Sequence, residues 1–140
     1  MGKILCATRG GEASYRTQDA AIALAKEQGD DLLFLFVVDT HFLDKTSAPV
    51  LVDAGGELAQ MGKFLLLMAQ ERAQKQGVAA QTLVRHGELK EEIKRVVREQ
   101  GVTTVVLGRP AGETNIFGQE ALEAFAREIE AETGAQAILI

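Results

Sequence analysis

The chain has 140 residues, 46% hydrophobic and 25% charged, with 20 acidic against 15 basic side chains and a net charge of −5. That length fits one domain, residues 1–140, able to bury roughly 68–70% of its unfolded surface without a disulfide or metal staple. The acidic balance argues against a nucleic-acid footprint, which needs a basic face.

The one cysteine, Cys6, has no partner for an internal disulfide and fits a reducing compartment. The longest apolar runs, 32–38 and 64–69, fall far short of the roughly 20 residues a membrane helix needs. The start of the chain lacks the charged region and long hydrophobic segment of a secretory leader, so a cytoplasmic location is the expectation.

Residues 3–8 read as a short buried strand that breaks at Gly10 and Gly11. Ser14 is placed to cap a helix running through Gln28, because its side-chain oxygen can accept an orphan backbone N–H. On that helix Thr17, Ala20, Ala21, Leu24 and Ala25 share one small face, suited to close approach to a sheet. Residues 32–38 form the continuous apolar run of a strand covered on both faces. Residues 39–54 are irregular, contain Pro49, and read as a long loop with room for a short helical turn.

A second helix is expected from Gly55 or Gly56 to Gln76. Leu58, Met61, Leu65, Met68 and Ala69 keep helical spacing, and Phe64, Leu66 and Leu67 widen the stripe. Residues 79–85 read as a third strand, closed by Gly87. Residues 88–100 read as a third helix, with Leu89, Ile93, Val96 and Val97 on one side and charges elsewhere. Glu88, Glu91 and Glu92 at its start suit the positive end of the helix dipole. Residues 103–107 form the next strand, followed by a loop to about Gly118. Residues 119–133 form a fourth helix, with Leu122, Phe125, Ala126 and Ile129 facing inward, and residues 136–140 the last strand.

Strands alternating with helices imply right-handed crossovers and a parallel sheet. The predicted fold is α/β: a single doubly wound sheet of five parallel strands, order 3-2-1-4-5, flanked by four helices. Such sheets bind ligands beyond the carboxyl ends of the strands, where the strand order reverses. Here that point lies between strands 1 and 4. Arg9, Gly10 and Gly11 meet Gly108, Arg109, Gly112 and Gly118 there, with Val38 at the end of strand 2. Glycines let backbone N–H groups approach an anion, and helix N-termini favour one. The same glycines equally serve tight strand-to-helix turns.

At these residues the chain resembles the universal stress protein family. Its opening, residues 3–14, is similar to the family's hydrophobic strand followed by Thr-Asp-Gly-Ser, an acidic residue and a later Ser. Residues 35–39, the His86-Gly87-Glu88 turn and Val105-Val106-Leu107-Gly108 resemble the second strand, a helix entry and the fourth strand. In ATP-binding members the fourth strand leads into Gly-x2-Gly-x9-Gly and then Ser or Thr. Here Gly108 matches the first glycine, Ala111 stands at the second with Gly112 one place late, and Gly118 precedes Gln119, so the spacing is short and the hydroxyl is missing. The family's Asp after the first strand is Arg9, a fixed cation with five donors in place of an acceptor.

Arg9 and Arg109 either favour an anion in the crevice or pair with Glu12, Glu113 or Asp39. Members with such a loop resemble a subclass that does not bind ATP and acts as a dimer through partners. The resemblance therefore implies a stress-response or signalling module, not an enzyme, with no cofactor expected and an unidentified protein partner. The alternative is an adenine-nucleotide binder, ATP included, with slow ATPase activity. A third reading, an enzyme for a small anionic substrate using Arg9 and Arg109, has no recognised acid or base behind it.

The last strand should lie at a sheet edge, where an apolar strand invites pairing with another chain. The resemblance likewise implies a homodimer through this strand, made by Gln136, Ala137, Ile138, Leu139 and Ile140. His41, His86 and Cys6 lack metal-ligand spacing. No Gly-x-Ser-x-Gly elbow occurs, and Cys6 reads as a small core residue.

Overall fold

The computed structural model describes residues 2–8, 12–38, 48–108 and 116–140. Its elements are β1 (Lys3–Ala7), α1 (Glu12–Gln28), β2 (Asp31–Val38), α2 (Ala48–Lys75), β3 (Ala80–His86), α3 (Leu89–Gln100), β4 (Thr104–Leu107), α4 (Ile116–Thr133) and β5 (Gln136–Leu139). The five strands form one parallel sheet in the expected order, β3-β2-β1-β4-β5.

Side chains alternate across the sheet, so each strand feeds two cores. On one face Ile4, Cys6, Phe34, Phe36 and Val106 meet Ala21, Ile22 and Ala25 of α1 and Leu66, Ala69 and Ala73 of α2. On the other, Leu5, Leu33, Leu35, Val105 and Leu107 meet Ile93, Val96 and Val97 of α3 and Phe125 and Ile129 of α4. Burial on both faces is why β2 is apolar without a break from Leu32 to Val38.

Three helix starts differ from expectation. α2 begins at Ala48, so residues 48–54 are helical and Gly55 and Gly56 lie inside the helix. Pro49 falls in the first turn, where its missing N–H costs nothing. The two glycines cost about 1 kcal/mol each in a helix interior, which the packing of Leu66, Ala69 and Ala73 offsets. α1 begins at Glu12, so Ser14 is a buried residue of its first turn and not its cap. α4 begins at Ile116, which places Gly118 in its first turn and not in a loop.

The inward face of α2 also differs. Gly62, Leu66, Ala69 and Ala73 point to the sheet, while Met61, Phe64 and Leu67 are exposed. Gly62 lets the helix close on β2: a Cβ there would stand 2.7 Å from Cε1 of Phe36.

Between α3 and α4 the charges are not all on the solvent side. The Lys94 side chain is 6% exposed, with Nζ 3.1 Å from Glu132, 3.4 Å from Glu128 and 3.6 Å from Glu91. The hydrogen bond to Glu132 raises the lysine's pKa above its ordinary value, against the opposing effect of desolvation; the Glu128, Glu132 and Glu91 charges add to the rise. Lys94 thus works as an ionic pin between two helices whose apolar faces already rest on the sheet.

Candidate functional site

The strand order reverses between β1 and β4, and the carboxyl ends of those strands set the site. Cys6 is opposite Val106, so Thr8 and Gly108 leave the sheet side by side. The Thr8 N–H donates to the Leu35 carbonyl at 2.9 Å, which ties the end of β1 to β2. α1 then passes over this end of the sheet and lowers two polar side chains onto it.

The first is Thr17, 3% exposed. Its hydroxyl fills the space beside Gly108 that a Cβ would take. Gly108 does not have a positive φ. Its glycine is required by close approach, not by an unusual backbone turn.

The second is Gln18, 2% exposed, whose Nε2 donates to the Thr8 hydroxyl oxygen at 2.9 Å. Thr8 is itself 4% exposed. The Gln18 Oε1 is buried and has no hydrogen-bond partner among the described residues. Among the described residues, the base of the crevice is therefore a small, neutral, polar cluster.

Of the residues predicted for the crevice, Val38 is buried at the end of β2, where its carbonyl accepts from Gly87 N–H at 3.1 Å. It closes the β2–β3 end of the same edge. Gly108 and the first turn of α4, with Gly118, stand at this edge as well. Arg9, Gly10, Gly11, Arg109 and Gly112 lie outside the described residues, as do the pairings considered for the two arginines.

Thr17 was expected on the inward face of α1 but not as a partner of Gly108, and Gln18 was not singled out. The signal for Gln18 was present. It lies three residues before Ala21 and four before Ile22, on the helix stripe that meets the sheet.

The α3 entry carries its own anion. The Glu92 carboxylate lies against Gly87, where a Cβ would come within 2.8 Å of Oε2, and accepts from Arg95 at 3.0 Å. Cys6 is fully buried, and burial pushes its thiol pKa up to about 12, so it is a core residue and not a nucleophile. Among the described residues no three His, Cys, Asp or Glu side chains gather as a metal site. None of their helices is long and apolar enough to cross a membrane. The described hydroxyl and amide groups can donate and accept hydrogen bonds at this edge of the sheet.

Comparison with known proteins agrees with this architecture. The universal stress protein family model matches residues 1–121. The universal stress protein YxiE of Bacillus subtilis (strain 168) is 32% identical over 124 residues, covering 77% of this chain and 78% of its own. The structure of universal stress protein UspA from Lactobacillus plantarum shares the fold with a TM-score of 0.80 at 18% identity, over 99% of this chain and 97% of that one. A universal stress protein solved in complex with cAMP does so with a TM-score of 0.72 at 20% identity, over 99% and 96%. On the family match, the identity to YxiE and the shared 3-2-1-4-5 sheet, this chain belongs to the universal stress protein family.

Proposed function

We propose that this chain is a cytoplasmic stress-response or signalling module that acts as a dimer through protein contacts and does not turn over ATP. The observation that carries this reading is the second residue after β1. Arg9 stands where the family pattern has Asp, so a donor and fixed cation replaces an acceptor. Two further features support it. Gly108 is engaged in packing against Thr17, and Gln119 follows Gly118 where a hydroxyl would reach phosphate. The dimer would form at β5, an edge strand whose Ala137, Ile138 and Leu139, with Ile140 after them, are half-buried.

A second reading is favoured by the first turn of α4, which opens at the carboxyl edge of the sheet beside β4. Its backbone N–H groups suit an anion. A structure of the same fold holds cAMP. On this reading the crevice takes an adenine nucleotide.

Calorimetric titration with ATP, ADP and AMP, with and without magnesium, separates the two. Binding weaker than about 10 µM, near −7 kcal/mol, is the result expected from the first reading. Tighter binding of any of the three establishes the second.

A further inference from the structure

The carbonyl of Gln18 is the unexplained group in the crevice. The side chain is 2% exposed, its Oε1 has no hydrogen-bond partner among the described residues, and its Nε2 donates to Thr8. A buried acceptor without a donor costs about 1–3 kcal/mol. Turning the amide over does not remove the problem. Oε1 would then accept from the Thr8 hydroxyl, and Nε2 would be the atom left with unused donors. In either orientation one polar position at the base of the crevice lacks its partner.

The chemistry of the missing group follows from the two side chains. With Nε2 donating to Thr8, Gln18 offers an acceptor. Thr8 Oγ1 accepts from Gln18 and keeps its own proton to donate. A group that both donates and accepts matches this pair. An ionised phosphoryl oxygen does not match, because it has no proton to give the Gln18 carbonyl. The pair supplies two of the two to four contacts that a buried water usually makes.

We propose that Thr8 and Gln18 form a socket for one neutral O–H group at the base of the β1/β4 crevice. The O–H belongs to a trapped water or to a sugar hydroxyl of a bound ligand. The socket does not depend on whether the protein binds nucleotides, since either source satisfies the same atoms.

The test is NMR on the full chain, reading contacts between the Gln18 side-chain amide and water. It is repeated with adenosine, with 2′,3′-dideoxyadenosine and with inorganic phosphate. A trapped water gives a cross-peak to a slowly exchanging water that persists with adenosine and disappears in Gln18→Met. A ligand hydroxyl gives a shift of the Gln18 amide with adenosine, and dideoxyadenosine binds at least roughly tenfold more weakly, the lower part of what a lost buried partner implies. Thr8→Val keeps the side-chain shape and should abolish whichever signal is seen, which guards against a Gln18 variant that fails to fold. The proposal is overturned by a Gln18 amide that contacts no slow water and ignores adenosine. It is equally overturned by a shift with phosphate alone, or by a crystal structure in which a backbone N–H of this chain donates to Oε1.

Discussion

The hydroxyl of Thr17 occupies the space that a side chain on residue 108 would need. This contact sets how closely α1 can lie on the ends of β1 and β4, and so it fixes the base of the crevice. It also gives Gly108 a packing role separate from any role toward phosphate.

Gly108→Ala should therefore destabilise the fold by about 1–3 kcal/mol, the usual cost of overpacking. Thr17→Ala should relieve it. In a double-mutant cycle followed by urea denaturation, Gly108→Ala should cost at least about 0.5 kcal/mol less in the Thr17→Ala background. Equal cost in both backgrounds would show that the contact does not limit the approach.

Lys94 predicts a pH dependence. Its folded pKa is raised above the ordinary 10.5, chiefly by the hydrogen bond to Glu132. A raised folded value means its contribution is complete below the unfolded pKa and is lost as pH rises through the folded one. Stability attributable to Lys94 should hold from neutral pH to about 10 and fall above it. Lys94→Gln should remove that alkaline slope and cost about 1 kcal/mol near pH 7, a modest figure because the three carboxylates are about half exposed. Denaturation midpoints of the two proteins across pH 7 to 11 check both statements.

Cys6 should be inert in the native protein. With its thiol pushed up to about 12 and its side chain fully buried, a disulfide reagent at pH 8 should label it only after denaturation. Cys6→Ser should destabilise by about 1–3 kcal/mol, since it buries a hydroxyl among Phe34, Val106 and their neighbours. Rapid labelling of the folded protein would contradict the packing described for β1.

The β5 edge predicts a specific loss of assembly. Ile138 lies opposite Val106 within the sheet and is half-buried. Ile138→Lys places a charge on the apolar edge, a device that blocks edge pairing. Light scattering should show the wild type as a dimer and the variant as a monomer, with helical circular dichroism retained by both. A wild type that is monomeric at micromolar concentration would remove β5 as an interface.

Much of the fold was legible because its signals are local and periodic. The unbroken apolar run of β2 announced a strand buried on both faces, and Ile93, Val96 and Val97 marked the inward side of α3. The start of α2 was not legible. Pro49, Gly55 and Gly56 are each read as breakers, yet one is harmless in a first turn and the others are outweighed by packing further along.

The exposed Phe64 and Leu67 show the same limit. An apolar stripe wider than its contact does not reveal which part touches the sheet, and one position in close contact with it is Gly62. At the site, the glycine-rich segments were visible as motifs. The Thr8–Gln18 pair was not, because it joins a strand end to a helix interior and has no spacing of its own.

Native mass spectrometry of the chain purified without added nucleotide measures assembly and retained ligand in one spectrum. Arg9 in place of the family's Asp and Gln119 after Gly118 predict a chain free of nucleotide, and the β5 edge predicts a dimer at twice the 15.1 kDa chain mass. A spectrum carrying ATP on each chain, or only monomer, would contradict that.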